Sequence, residues 1–346
     1  MTTVDYMQVS KPEEKAGNTS GRTILVIVTC AAFLLVLVMR QVSLAGPLRD
    51  RIIKSRNSQE QSEMPEGSGS AGRPASLPSN VGIVRDVSYG SDEDQRFDAY
   101  IPAGVKDAPV IVMVHGGAWS LGDKAAKAVV ENKVARWVPK GFILISANYR
   151  LLPKTDPLEQ ARDIARAVAA AQDKAASWGG DRSKFILMGH SAGAHLVSLL
   201  ASAPALSSQL VSTPWLGTVA LDSAALDIVK IMETKHARFY DRAFGKTSEY
   251  WKSASPFHAM SGAGQPILVV CSTKRKDSCS QADQFAAKAS SLNTKASVLR
   301  QDLSHGEINQ KLGEDEAYTK AVEAFLGSLN DSIAKLLTQY SNDKHH

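Results

Sequence analysis

The chain has 346 residues, of which 44% are hydrophobic and 22% charged, and its formal net charge is +5 at pH 7. This composition allows a sizeable core and excludes a wholly disordered chain. The charge divides into +2 for residues 1–80 and +3 for residues 81–346, without a long basic run, so a nucleic-acid partner is not expected.

The amino-terminal segment is predicted to target the protein to a membrane or across it. Residues 1–22 are polar, and residues 23–39 form an uncharged apolar run of 17 residues, close to the minimum that spans a bilayer. Because Ser43-Leu44-Ala45 fits a small-x-small cleavage site, a cleaved signal peptide and a retained transmembrane anchor both stay open. Residues 40–80 include a stretch rich in Ser, Gly, Pro and Gln and are interpreted as a linker.

The orientation of this segment is ambiguous. Three Lys or Arg residues precede the apolar run and five follow it closely, which by the positive-inside rule would keep the remaining chain in the cytoplasm. We nevertheless expect export, because long domains translocate largely regardless of such charges. The expected location is the periplasm, or the outer side of the membrane if residues 23–39 are retained as an anchor.

Residues 81–340 are predicted to form one α/β domain. Segments 82–89 and 95–101 alternate in polarity and indicate an antiparallel hairpin. Short apolar runs follow, typical of strands covered on both faces: 110–114, 142–147, 185–188, 218–221 and 267–271, with 296–301 as the last strand. Helices are predicted between them, the clearest from Asp156 to Trp178, and a closing one over 315–338. The alternation indicates a mostly parallel sheet with helices on both faces.

A nucleophile motif follows the predicted strand 185–188. In Gly189-His190-Ser191-Ala192-Gly193 the two glycines permit a sharp turn from strand to helix, which exposes the hydroxyl of Ser191. The same turn places the backbone N–H of Ala192 at a helix N-terminus, where it can donate to an oxyanion. His190 is predicted to pack locally.

A glycine-rich loop follows the earlier strand 110–114. In His115-Gly116-Gly117-Ala118-Trp119, Gly116 and Gly117 let the backbone approach a substrate closely and offer further oxyanion donors. Trp119 is a candidate for lining the acyl pocket, although core packing is equally compatible with the sequence.

The serine needs a base and an acid that orients the base, and the chain order in hydrolases with this turn is Ser, then Asp or Glu, then His. His305 is predicted as the base because it lies in the loop just after the last predicted strand. Asp277 is predicted as the acid, since it is the carboxylate of the loop after 267–271. Asp302 is the substitute candidate.

Together these motifs resemble the esterase and lipase branch of the α/β-hydrolase superfamily, especially its hormone-sensitive-lipase-like, acetyl-esterase and feruloyl-esterase-type members. The likeness covers residues 82–328 and also rests on Asn148-Tyr149-Arg150-Leu151-Leu152-Pro153 and Ser255-Pro256. It departs from the family pattern at Ala118, where a third glycine is usual, and in the basic loop around Asp277.

The resemblance implies a serine hydrolase that cleaves small carboxylic esters through an acyl-enzyme and needs no cofactor. No H-E-x-x-H, C-x-x-C or carboxylate cluster in the sequence suggests a metal. Gly116, Gly117 and Ala192 would hold the oxyanion. An arylformamidase activity like that of kynurenine formamidases stays open, and so does a non-catalytic scaffold tethered to the membrane. Residues 205–262 contain several aromatic side chains and are interpreted either as a small lid or as ordinary packing helices.

The two cysteines that flank the predicted acid loop suggest a disulfide. Cys271 and Cys279 are eight residues apart, and a loop that folds back on itself can bring them within bonding distance. In an exported domain such a pair can oxidise, and a disulfide between Cys271 and Cys279 is therefore predicted. The alternative is a buried strand thiol at Cys271 and an unrelated thiol at Cys279.

Overall fold

The structure is a computed structural model that describes residues 80–342. The predicted polar segment, the signal or anchor at 23–39 and nearly all of the linker lie outside the described residues. Among residues 80–342, no helix combines the length and the apolar character needed to cross a membrane.

An eight-stranded sheet forms the centre of the fold, in the order β1-β2-β4-β3-β5-β6-β7-β8. The first strand pairs antiparallel with the second and the second antiparallel with the fourth, and the other neighbours are parallel. The strands are Val81–Ser88 (β1), Arg96–Pro102 (β2), Ala108–Val114 (β3), Ile143–Ala147 (β4), Gly180–His190 (β5), Gly217–Leu221 (β6), Ile267–Ser272 (β7) and Ala296–Gln301 (β8). This arrangement confirms the predicted α/β-hydrolase fold class.

Helices alternate with these strands. They are Lys127–Trp137 (α1), Pro157–Lys174 (α2), Ala192–Ser202 (α3), Ile228–Met232 (α4), Arg238–Phe244 (α5), Ser248–Ser253 (α6), Pro256–Ala259 (α7), Ser278–Ser291 (α8), His305–Gln310 (α9), Glu316–Gly327 (α10) and Asp331–Asn342 (α11). Two short 3-10 helices span Ala175–Trp178 and Pro204–Leu206.

Local sequence explains where two of the helices begin and end. The Asp156 side chain accepts the N–H groups of Leu158 and Glu159, which starts α2 at the proline that follows. The prediction of a single closing helix over 315–338 is wrong. Helix α10 ends at Gly327, and the Asn330 side chain caps the start of α11 by accepting the backbone N–H of Ser332 at 2.9 Å.

The core lies on both faces of the sheet because its central strands are buried on both sides. Every residue of β3, β4, β6 and β7 is buried, and each large apolar side chain removed from water in this way contributes about 1.5–3 kcal/mol. Helices α2 and α3 pack on one face, and α1, α10 and α11 pack on the other. The carboxyl ends of the parallel strands therefore share one rigid edge.

The segment between β6 and β7 consists of four short helices, α4 to α7. The predicted range of a possible lid, 205–262, begins too early, because it includes the central strand β6. Residues 223–262 follow this strand, and their aromatic side chains Phe239, Tyr240 and Phe244 are buried.

Candidate active site

The nucleophile motif forms the predicted sharp turn. The strand β5 ends at His190 and α3 begins at Ala192, so Ser191 occupies the turn alone, with a φ of 55°. A Cβ on Gly189 would lie 2.4 Å from the carbonyl oxygen of Gly193, and a Cβ on Gly193 would lie 2.3 Å from that of Val114. Both positions require glycine because the turn is packed directly against its own helix and β3.

His305 contacts the serine. Its Nε2 lies 3.0 Å from Ser191 Oγ, the distance of a hydrogen bond that can carry the serine proton. His305 is the first residue of α9, and the Ser304 side chain and Glu307 form a capping box around this helix start. The structure thus brings together the predicted nucleophile and the predicted base, 114 residues apart in the chain.

The acid beside the histidine is Asp222, so the assignment of Asp277 is wrong. His305 Nδ1 lies 2.6 Å from Asp222 Oδ2, and the Asp222 side chain is fully buried. Asp277 instead occupies the N-cap position of α8 with an exposed side chain. The substitute candidate Asp302 is also exposed, 3.9 Å from the ammonium of Lys274.

Asp222 directly follows β6, whereas the predicted acid loop follows β7. Strand β6 lies between β5, which presents Ser191, and β7, so its carboxyl end is the nearer one to the nucleophile. A sequence signal was present: Asp222 directly follows the buried run Thr218–Leu221. A carboxylate at the carboxyl end of a largely apolar strand indicates a site residue at the sheet edge.

The surroundings of Asp222 keep it ionised. Its Oδ1 accepts the backbone N–H of Ser272 at 2.8 Å and the hydroxyl of Ser278. Its Oδ2 accepts from Arg275 Nη1 at 2.9 Å as well as from His305. Burial by itself would raise the pKa of the Asp222 carboxyl, but the His305 hydrogen bond and the Arg275 charge outweigh it and hold that pKa below its usual range.

This carboxylate fixes the tautomer of the histidine. Because ionised Asp222 is an acceptor, Nδ1 of His305 carries the proton and donates it, which leaves Nε2 as the acceptor for the Ser191 hydroxyl. Ser191, His305 and Asp222 are therefore connected by two hydrogen bonds in series.

The glycine-rich loop lies against the nucleophile. A Cβ on Gly116 would lie 2.8 Å from Cβ of Ser191, so only glycine allows this approach. Gly117 has a φ of 121° and Ala118 a φ of 48°. Ala118 and Ala192 both line the pocket beside Ser191. The oxyanion role of Gly116, Gly117 and Ala192 stays a prediction, to which the structure adds Ala118 as a neighbouring candidate.

The pocket beside Ser191 is small. Its cavity volume is about 20 Å³, and a single water molecule needs about 10–15 Å³ in the same measure. Trp119, Phe239 and Tyr240 form its aromatic wall. Trp119 thus lies where a pocket residue was predicted, and its ring nitrogen donates to His195 Nδ1 at 3.2 Å.

Two other histidines have structural partners. His195 Nε2 lies 2.7 Å from the carbonyl oxygen of Ala254, so it holds the segment after β6 against α3. His190 Nε2 lies 2.9 Å from the carbonyl oxygen of His305, and the two rings are 4.5 Å apart. His190 therefore contacts the base as well as packing locally, a role that a variable motif position did not indicate.

The loop that surrounds Asp222 is closed by a disulfide in the structure. Cys271 and Cys279 are bonded, with their Cα atoms 5.0 Å apart. Ser272 follows the first cysteine directly, and Ser278 precedes the second. The disulfide therefore lies next to both residues that donate to Asp222 Oδ1, Ser272 and Ser278.

The family described as BD-FAE matches residues 97–288, more than half of the chain. The chain belongs to this family. The match covers Ser191 and Asp222 and ends before His305, which the structure adds to the site.

Three curated relatives are similar to parts of this BD-FAE chain. Esterase LipC of Mycobacterium tuberculosis is 28% identical over 54% of the chain and 49% of its own length. Isoprenylcysteine alpha-carbonyl methylesterase ICME of Arabidopsis thaliana is 32% identical over 34% of the chain and 27% of its own length. Kynurenine formamidase of Salmo salar is 28% identical over 43% and 48%. The chain thus spans half or less of the length of these relatives.

Solved structures share the fold. Esterase B from Lactobacillus rhamnosis is 19% identical, with a TM-score of 0.60 over 90% of this chain and 99% of its own. A truncated carbohydrate esterase from gut microbiota is 17% identical, with a TM-score of 0.60 over 73% and 98%.

Proposed function

We propose that this BD-FAE protein is a serine hydrolase that cleaves carboxylic esters with short acyl groups. The observation that carries the proposal is the pair of hydrogen bonds in series, Ser191 Oγ to His305 Nε2 at 3.0 Å and His305 Nδ1 to Asp222 Oδ2 at 2.6 Å. A serine hydroxyl is a weak nucleophile, and an oriented histidine base is what activates it.

The geometry supports a two-step acyl transfer. As the Ser191 oxygen attacks the ester carbonyl, its proton passes to His305 Nε2, and the resulting imidazolium is stabilised by Asp222. The imidazolium then gives this proton to the leaving alkoxide, which departs as the alcohol and leaves an acyl-serine. Water, deprotonated by the same nitrogen, attacks the acyl-serine and releases the acid, while the Ser191 oxygen leaves and takes the proton back from His305 Nε2. Ala118 and Ala192 at the start of α3 line the pocket beside Ser191, where the oxyanion would develop.

The small pocket predicts a steep preference for short acyl chains. With full-length protein, kcat/KM for p-nitrophenyl acetate should exceed that for the octanoate by at least about tenfold, since each methylene that cannot be accommodated costs on the order of 1 kcal/mol or more. The butyrate should fall between them. Initial rates of p-nitrophenol release at matched substrate concentrations measure this.

A pocket variant and a control test the reason for that preference. Phe239→Ala removes part of the aromatic wall and should raise the octanoate-to-acetate ratio. Phe257→Ala truncates a ring of the same segment that packs under Lys288, 4.6 Å from its ammonium, and should leave the ratio unchanged. An octanoate rate equal to the acetate rate in the unaltered protein would contradict a short-acyl site.

Hydrolysis of N-formyl aryl amines is the second candidate activity. A formyl group is the smallest acyl group, which suits the small pocket beside Ser191, and kynurenine formamidases are among the similar proteins. Comparing kcat/KM on formanilide and on phenyl acetate separates the two. A formanilide value at least as large as that of the ester would make the amide the favoured substrate class.

We also propose that the catalytic domain faces an oxidising compartment outside the cytoplasm, with residues 23–39 as the targeting segment. The bonded pair Cys271 and Cys279 supports this, because such bonds persist outside reducing compartments.

The disulfide leads to a testable expectation for the native protein. Intact mass of protein isolated from its own cell envelope should rise by about 2 Da on reduction, since two thiols replace one disulfide, and alkylation should map to Cys271 and Cys279 only afterwards. A closed loop of this size stabilises the fold by on the order of 2–3 kcal/mol, so reduction should also lower the Tm. Two thiols that alkylate without reduction would contradict both the bond and the export proposal.

A further inference from the structure

A cation contacts both the acid and the base of the site. Arg275 Nη1 lies 2.9 Å from Asp222 Oδ2 and 3.1 Å from His305 Nδ1, and it donates to the backbone oxygen of Asp222 at 3.0 Å. The Arg275 side chain is mostly buried, and it also lines the pocket beside Ser191. The reaction steps described above do not use this arginine.

The loop that carries Arg275 is built around Asp222. Its backbone N–H at Ser272 and its hydroxyl at Ser278 bind one carboxylate oxygen, and Arg275 binds the other. The disulfide between Cys271 and Cys279 closes this loop. Arg275 is therefore held in place by the same short segment that immobilises the acid.

Three elements place further titratable groups near His305, and near neutral pH these groups add little net charge beside its ring. From β5, His190 is neutral because burial and the neighbouring His305 lower its pKa well below the usual value. From α10, Tyr318 is neutral because burial raises its pKa. On the histidine's own helix, Glu307 and Lys311 pair with each other at 3.0 Å.

Helix α1 contributes one further cation. Lys133 donates to the carbonyl oxygen of Asn309 at 2.6 Å, at the C-terminal end of α9, and burial lowers the pKa of Lys133 to about 7. This group is present in every variant considered below, so its titration is common to all of them. Asp222 and Arg275 are charged groups in direct contact with Nδ1 of the imidazole.

We propose that Arg275 is a positioning residue that restrains Asp222 and extends the activity of His305 to lower pH. This inference rests on the proposed hydrolase function. The imidazolium form of His305 is favoured by the Asp222 carboxylate and disfavoured by the guanidinium beside Nδ1. Because only neutral imidazole accepts the serine proton, a cation that opposes protonation keeps the base available as the pH falls.

Removing the arginine should therefore shift the acidic limb of the pH profile upwards. In Arg275→Met, the midpoint of that limb in kcat/KM for p-nitrophenyl acetate should rise by about one to two pH units, the size of shift that one adjacent charge causes. Arg275→Lys retains the charge, so the midpoint of its acidic limb should stay close to that of the unaltered protein. On the plateau above the limb, kcat of Arg275→Met should be reduced by a few-fold, since Asp222 has lost one of its restraints.

The matched control is Lys276→Met, which removes an exposed cation from the same loop and should leave the limb unchanged. A second readout, the pH dependence of covalent labelling of Ser191 by a fluorophosphonate, requires the Ser–His pair but no particular ester. Absent hydrolysis with intact, pH-dependent labelling would count against the proposed ester substrates alone. An unshifted limb in Arg275→Met, in both readouts and with a folded protein by circular dichroism, would overturn the role of Arg275.

Discussion

Replacing Ser191 by Ala is expected to lower kcat for p-nitrophenyl acetate by about 10⁶, because removing the nucleophile of a serine triad costs nearly the whole triad contribution. Ser191 Oγ is the atom that contacts His305 Nε2, so no other hydroxyl takes over the attack. The measurement is kcat on purified full-length protein, with active-site titration of the unaltered enzyme to fix its concentration.

The fold should tolerate this change. Alanine keeps a Cβ at the same position, and the flanking glycines that permit the turn are untouched. Thermal unfolding should therefore shift by no more than a few degrees. Ser223→Ala is a suitable control, since this second serine lines the same pocket and its hydroxyl instead accepts the N–H of Ala225 at 3.2 Å. Near-normal hydrolysis and fluorophosphonate labelling by a folded Ser191→Ala protein would rule out the serine-hydrolase proposal.

The buried strands were predictable because each one is a short continuous run of apolar residues. Runs such as Val110–Val114 and Ile267–Cys271 are apolar throughout, which a strand covered on both faces requires. The start of α2 was equally predictable from Asp156, whose side chain caps the helix as its sequence context indicates. The break between α10 and α11 was not, since a single glycine within an amphipathic pattern does not by itself end a helix.

The site was predictable where one short motif determines the geometry. Ser191 lies in a turn that its own flanking glycines make possible. His305 follows the last strand, and chain order alone points to it. Other groups around these two residues come from separate elements, and no local motif indicates that they meet. Trp119 and Phe239 meet at the pocket although they are far apart in the chain, and the contact of Arg275 with His305 depends on how one loop folds back.

The order of residues along the chain does not determine which aspartate orients His305. Two neighbouring strands, β6 and β7, are each followed by a loop with an aspartate, and a base at the sheet edge can meet either one. Burial and hydrogen bonds select between them. Asp222 is buried and accepts from four groups, whereas Asp277 is exposed at a helix start. A carboxylate that serves a buried imidazolium has to be desolvated with it.

Asp222→Asn is accordingly expected to lower kcat by about 10⁴ at neutral pH, the effect of an acid-to-amide change that leaves the wrong histidine tautomer in place. An asparagine can present its amide N–H to Nδ1, so His305 would then carry its proton on Nε2 and could no longer accept from Ser191. Asp277→Asn is the matched control: the same chemical change on an exposed side chain should alter kcat by less than about twofold, in line with the small effects of surface substitutions.

Both variants should be measured at several pH values, because a wrong histidine tautomer predicts a defect that depends on pH. The defect of Asp222→Asn should shrink at alkaline pH, where hydroxide assists the attack without the histidine, while Asp277→Asn should follow the unaltered enzyme throughout. A larger loss in Asp277→Asn than in Asp222→Asn, with both proteins folded, would return the acid to the loop after β7 and contradict the hydrogen bond of 2.6 Å between Asp222 and His305.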